Sequence, residues 1–314
     1  MKRVDKPLRI LFAGSGEFGI PTLRAFLESG HEVVQVFSQP DRPAGRGRTL
    51  TPTPISQLAV DHKLPLARTA DINAELLPPA DLLVVIAFGQ KISDAVANHA
   101  KLGSVNLHAS RLPRYRGAAP IHWAILRGET VTGNSIIRLA QRMDAGAVLG
   151  QSSLPIGETE TTGELHERLS HDGAALMLRV TQQLATATAT ETPQDESQST
   201  TAPKLSRETA VIQWEQSAEN IARQIRGLYP WPGCRVKLID ETGNESARLT
   251  LVRARVYGKS TPQPGTIDTN GRVSTSDGSI EILELQPEGK RPMTLPDFRN
   301  GRPWRAGMRL HSLT

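Results

Sequence analysis

Residues Leu8–Ser38 constrain the fold more than any other stretch of the chain. The apolar run Leu8–Gly14 (L-R-I-L-F-A-G) enters a glycine-rich turn; Pro21–Ser29 then has a proline in its first turn and Gly30 just past its end. A second apolar run, His31–Ser38 (H-E-V-V-Q-V-F-S), follows at once. Proline is pre-set for the opening of a helix and glycine for its close, so the three segments spell strand, helix, strand. A crossover of this length lays the two strands side by side and parallel. Asp81–Ala87 (D-L-L-V-V-I-A) is apolar without interruption, the mark of a strand covered on both faces. Ser104–His108 reads as a fourth strand, Ile121–Arg127 as a helix and Asn134–Leu139 as a further strand. Thr161–Leu184 closes the pattern as a helix, with Leu165, Leu169, Leu176 and Val180 at helical spacing. The prediction is a Rossmann-like α/β domain over residues 1–185, built on a mostly parallel sheet.

The pattern breaks at residue 186. Thr186–Ala202 (T-A-T-A-T-E-T-P-Q-D-E-S-Q-S-T-T-A) holds no large core-forming side chain and reads as a linker, 186–203. From Lys204 to Thr314 the periodicity changes to one helix, Ala218–Arg226, and short strands at Arg235–Ile239, Leu249–Tyr257, Gly265–Asp268, Arg272–Ser274 and Ser279–Leu285. Short strands between Gly-, Asn- and Pro-rich turns predict a small OB-like β-barrel over 204–314. Residues 204–314 carry 17 Lys and Arg against 12 Asp and Glu, which accounts for the whole net charge of +5. A basic barrel suits a nucleic-acid partner, although a solvated surface explains the charge nearly as well. The single cysteine, Cys234, excludes an internal disulfide and a multi-cysteine metal site, and no metal is expected. The segment after M-K-R-V-D-K-P is too short for a signal-peptide core, and no run of 18 apolar residues occurs; a cytoplasmic protein without membrane association is expected.

Three stretches carry chemistry. The first turn spells Gly14-x-Gly16-x-x-Gly19, with Asp41 about 20 residues on, a formal match to a dinucleotide-binding fingerprint that any tight strand-to-helix turn can also produce. Gln39–Pro54 is dense in Pro and Gly and carries Arg42, Arg46 and Arg48, the composition of an irregular surface loop. Asn106 and His108 stand two apart at the end of a strand, so both side chains leave the sheet on one face. Taken alone they could be a strand-end amide and a hydrogen-bonded core histidine, and Asp144, ahead of Gly146, could be a turn acid. The loops that follow the strands of such sheets are also where ligand sites form. An amide, an imidazole and a carboxylate there fit the attack of an amine on a carbonyl-type carbon, with two groups stabilising the oxyanion and the carboxylate supporting the imidazole.

The stretch N-L-H-A-S-x-L-P-x-Y-R-G-A-A-P-I from Asn106, M-D-A-G-A from Met143 and T-T-G-E-L-H-E-R-L from Thr161 resemble the folate-dependent formyltransferases. Q-P-D-R-P-A-G-R-G from Gln39, K-L-S-R-E-T-A-V-I-Q-W from Lys204, Y-P-W-P-G from Tyr229 and L-Q-P-E-G-K-R-P-M from Leu285 point, within that superfamily, to the members that act on initiator methionyl-tRNA. The resemblance covers both domains. It implies 10-formyltetrahydrofolate as formyl donor and Asn106, His108 and Asp144 as the catalytic triplet. It further implies a folate-contacting segment at Ser110, Arg111, Leu112 and Pro113 and tRNA contact through Arg42. A monomer is expected. Two residues depart from the family pattern. Arg111 stands where Leu is usual, and Gly16 where Pro is usual, which produces the apparent dinucleotide fingerprint. A formyltransferase acting on a nucleotide-sugar or small ribonucleotide amine would share the triplet. An RNA-binding module with a degenerate catalytic domain would be expected to lack it.

Overall fold

The computed structural model describes residues 6–44, 47, 49–258 and 263–313. The chain forms two compact units, neither contiguous in sequence: one holds residues up to Gly117 with Gly133–Leu154 and His166–Ala202, the other Ala118–Thr132, Pro155–Leu165 and Pro203 onward.

The first unit is organised on a seven-stranded sheet in the order Val148–Gln151, Ser135–Arg138, Ser104–His108, Leu82–Ile86, Arg9–Gly14, Glu32–Ser38, Leu66–Arg68. Arg9–Gly14 pairs in parallel with Glu32–Ser38 on one side and Leu82–Ile86 on the other, as the strand–helix–strand reading requires. Ile10, Leu11, Phe12, Leu82, Leu83 and Val84 are wholly buried because helices cover both faces, and each contributes on the order of 2 kcal/mol of hydrophobic stabilisation. The first helix, Ile20–Ser29, ends on Gly30 at φ +86°, the left-handed closure that glycine makes without strain. Val148–Gln151 and Ser135–Arg138 are antiparallel to their neighbours. The sheet is therefore mostly parallel with an antiparallel edge.

In the first turn, a Cβ added at Gly14 would lie 2.8 Å from the Phe12 ring and 2.9 Å from the Ile86 carbonyl. Close packing is sufficient reason for that glycine, and Asp41 is ion-paired to Arg68 at 2.8 Å. The Gln39–Pro54 stretch is more regular than its composition suggested. Arg42–Ala44 and Thr49–Thr51 form a two-stranded hairpin, and Thr53 caps the helix Pro54–Asp61 by accepting from the Ser56 N–H. Pro43 is tolerated because a two-stranded ribbon leaves outward N–H positions unpaired. Arg46 and Arg48 lie outside the described residues.

The second unit is a nearly closed antiparallel barrel. Its strands run Val273–Ser274, Ser279–Pro287, Glu245–Tyr257, Cys234–Ile239, Arg309–Ser312, and Met293–Thr294 pairs on Ser279–Pro287. Isolated bridges from Thr266 to Arg309 and from Ile267 to Val273 join the two ends of the sheet. The helix Ala218–Gly227 is capped by Ser217 and buries Ile221, Ala222 and Ile225 in the barrel core. Trp123 and Leu126, from the Pro120–Leu126 helix far upstream in sequence, pack on the same core. Cys234 is fully buried within it, and burial pushes its thiol up to about 12, which removes it as a nucleophile.

Candidate active site

Asn106 and His108 project from the Ser104–His108 strand, whose register sets His108 opposite Ser135 and Asn106 opposite Ile137. His108 is buried and Asn106 half-buried. The His108 Nε2 lies 2.9 Å from the Tyr115 carbonyl, which can only accept, so this nitrogen carries the proton of that contact. The other ring nitrogen, Nδ1, stands 3.6 Å from Asp144 Oδ1. Oδ2 of the same carboxylate accepts the Gly117 N–H at 2.8 Å. The Asn106 amide is the free member of the set: among the described residues, none hydrogen-bonds it.

Asp144 lies in the connection between Ser135–Arg138 and Val148–Gln151, a link within the antiparallel edge. It is not in a loop following a parallel strand, the position the sequence reading gave it. The connection can double back because Gly146 passes so close to the Arg138 carbonyl that a Cβ there would lie 1.9 Å away. Asp144 itself adopts φ +55°. Asp is one of the few residues that enter this region at tolerable cost.

The 110–113 segment is held from inside. Ser110 Oγ donates to the Arg114 carbonyl at 2.7 Å, and the Ser110 carbonyl accepts from Ser135 Oγ at 2.6 Å. Leu112 donates its N–H to Ser135 Oγ at 3.0 Å and accepts from Gln151 Nε2 at 2.8 Å, ahead of a cis bond to Pro113. Ser110 and Leu112 are thus turned inward, whereas the Arg111 side chain is exposed. Arg42, also exposed, donates to Gln39 Oε1, and Gln39 Nε2 in turn donates to the Phe88 carbonyl at 2.8 Å. Among the described residues, no hydrogen bond or ion pair joins Arg42 to the triplet.

Sequence reasoning missed a second tier. Tyr115 and Gly117, inside the Y-R-G motif, contribute backbone groups that carry no side-chain signal. Gln194 and Glu196 sit in the stretch whose composition reads as a linker, and here residues 186–202 pack with the first unit. Thr192 exchanges backbone hydrogen bonds with Val148, and Thr201–Ala202 pairs in parallel with Arg116–Gly117. Polar residues held by hydrogen bonds leave no apolar periodicity to read.

Two family models match the chain: Formyl transferase over residues 8–181, and Formyl transferase, C-terminal domain, over 204–303. The parallel sheet and the barrel that follows are thus those of a formyl transferase. The methionyl-tRNA formyltransferase of Methylococcus capsulatus is 41% identical across 96% of this chain and 99% of its own length. That of Moorella thermoacetica is 39% identical across 94% and 97%. The chain belongs to the methionyl-tRNA formyltransferase family. Among solved structures, HypX from Aquifex aeolicus in complex with tetrahydrofolic acid superposes with a TM-score of 0.59 at 19% identity over 93% of this chain. The chain spans about half of that protein, 46%, so the likeness concerns the fold.

Proposed function

We propose that this chain transfers the formyl group of 10-formyltetrahydrofolate to the methionine amino group of initiator methionyl-tRNA, yielding N-formylmethionyl-tRNA for translation initiation. The observation that carries this reading is kinship over the full length, both domains included, with methionyl-tRNA formyltransferases. A nucleotide-sugar or small-ribonucleotide acceptor has no comparable support. We place the reaction in the cytoplasm and on a monomer. Among the described residues no helix is long and apolar enough to cross a membrane.

The chemistry follows from the groups at the triplet. The methionine amine attacks the formyl carbon and forms the new C–N bond while the carbonyl oxygen takes up negative charge. Collapse of the intermediate breaks the bond to the folate nitrogen, which leaves with a proton, and the amine gives one up. Asn106 has an uncommitted amide to offer the oxyanion, the chemical feature that fits a formyl oxygen. His108 adds a second donor when its Nε2 proton turns from the Tyr115 carbonyl to the oxyanion. Asp144 balances the ring from Nδ1 and holds the proton lost by the amine. Arg111 lies outward on the folate segment, and Arg42 outward on a hairpin suited to an RNA phosphate.

The test offers 10-formyltetrahydrofolate with charged initiator or charged elongator tRNA and measures formyl-methionine. Transfer to the initiator alone is expected; equal use of both, or of neither, would reject this substrate assignment.

A further inference from the structure

Two backbone positions address the two nitrogens of His108, and both are strained. Five non-glycine residues have positive φ among the described residues. Tyr115, at φ +63°, supplies the carbonyl at Nε2, and Asp144, at φ +55°, supplies the carboxylate at Nδ1. Such conformations are unfavourable, more so for Tyr than for Asp, and persist only where the surroundings fix them.

In both cases the fixing comes from one segment, residues 194–202. Gln194 Nε2 donates to the Asp144 carbonyl and to the Gly146 carbonyl, each at 2.8 Å, using both of its hydrogens. Its Oε1 accepts from Arg116 Nη2 at 2.6 Å and Nε at 3.1 Å. Arg116, almost fully buried, gives two further donors to Glu196, at 2.9 and 3.0 Å. Glu196 also receives Arg142 at 3.0 Å. The Arg116 guanidinium holds the Glu196 carboxyl below the usual carboxylate range; burial opposes it, and Arg142 adds a lesser pull in the same direction as Arg116. On the Tyr115 side, the Tyr115 N–H donates to Thr200 Oγ1 at 2.9 Å and the Arg116 N–H to the Thr200 carbonyl at 2.8 Å. The segment thus grips the backbone on either side of the imidazole.

We propose that residues 194–202 are a positioning strap for formyl transfer and that Gln194 is its key positioning residue, acting on catalysis through Asp144. Gln194 is suited to this because one amide both caps the two carbonyls of the strained turn and accepts from the guanidinium beside Tyr115. An apolar side chain can do neither, and an acid can accept from the guanidinium but cannot donate to the two carbonyls. The proposal rests on the formyl-transfer reading above.

The experiment compares wild type, Gln194→Ala, Gln194→Glu, Asp144→Asn and Gln194→Ala with Asp144→Asn, with Thr188→Ala, upstream of the strap and bonded to the Gln183 carbonyl, as the control. Folding is checked by thermal melting. Gln194→Ala is expected to lower kcat about tenfold, the scale on which supporting groups act, with KM for both substrates unchanged within about twofold. Gln194→Glu keeps an acceptor for Arg116 but loses the donors to the two carbonyls, so it should be as slow as Gln194→Ala. In the Asp144→Asn background the Gln194→Ala cost should shrink below about twofold, because residues acting as one unit are not additive. Hydrogen exchange at the Gly117 amide, which donates to Asp144, should quicken in Gln194→Ala. Full additivity with Asp144→Asn, or a wild-type rate for Gln194→Glu, would overturn the strap while leaving formyl transfer standing. A wild-type chain that forms no formyl-methionine would instead overturn the functional reading and the strap's catalytic role with it.

Discussion

His108 sits between two acceptors, with a carbonyl at Nε2 and a carboxylate at Nδ1, while its strand neighbour Asn106 keeps its amide unspent. This division gives each residue a separate way to fail. In the proposed mechanism, Asn106→Ala removes one oxyanion donor, His108→Ala the other, and Asp144→Ala the carboxylate that supports the imidazole. Each is expected to lower the transfer rate by at least about 10²-fold, the usual size for oxyanion and acid–base groups. Single-turnover transfer measures this directly, and a variant at near-normal rate would exclude its residue from the mechanism. Asn106 and His108 were legible in the sequence because a period of two places them on one face. Asp144 was legible only as a turn acid, since its approach to His108 depends on a loop that doubles back at Gly146.

Among the elements, the strands and helices expected in the first unit lie within a residue of their observed bounds, whereas in the barrel the strand expected at Leu249 starts at Glu245 and Gly265–Asp268 makes only isolated bridges; elements held by hydrogen bonds were not predicted. The Ile20–Ser29 helix shows the first case. Gly30 closes it in the left-handed region with open space around its absent side chain. Gly30→Ala should therefore cost only the backbone term, about 1 kcal/mol, read from the midpoint of urea unfolding without a change in slope. The hairpin around Pro43 and the 186–202 segment show the second case. Both are rich in Pro, Gly or short polar residues; the hairpin is held by its own ladder between Arg42–Ala44 and Thr49–Thr51, and the 186–202 segment by partners distant in sequence. Arg42 stands on that hairpin, anchored through Gln39 to the Phe88 carbonyl. Arg42→Ala is expected to raise KM for charged initiator tRNA while folate binding, followed by fluorescence titration, stays unchanged. An unaltered rate with tRNA would remove the hairpin from RNA recognition.

At the scale of the whole molecule, the division into units does not follow the chain. The barrel unit recruits Ala118–Thr132 and Pro155–Leu165, placing Trp123 and Leu126 on its core. Arg226, almost fully buried, donates to the Gly157 and Glu160 carbonyls at 3.4 and 3.1 Å, and Thr162 Oγ1 donates to the Gly227 carbonyl at 2.7 Å. A fragment of residues 204–314 loses these partners. It should melt at lower temperature and less cooperatively than the intact chain, as circular dichroism would show; equal melting would mean the upstream pieces contribute nothing. Stability should also depend on pH through Asp81. The Arg9 N–H first, and then Lys101, hold its carboxyl below the usual range. A depressed carboxylate stabilises the fold above the unfolded-state pKa, and this contribution fades as pH falls through the lower folded-state value. Asp81→Asn should therefore be less stable than wild type at neutral pH, with the gap closing in acid; a gap independent of pH would contradict the linkage.

Local sequence is enough to specify the parallel sheet, the presence of a second, mainly β body and the placement of Asn106 and His108 on one strand face. All three follow from periodicity and turn chemistry, which act over a few residues. Tertiary structure alone decided that Asp144 meets His108, that a polar stretch without core residues straps the turn carrying it, and that the barrel unit is assembled from three separate pieces of chain. The polar contacts among them join residues 27 to 85 positions apart through backbone carbonyls, amides and buried guanidinium groups. Such groups have no period, and their partners exist only once the chain has folded.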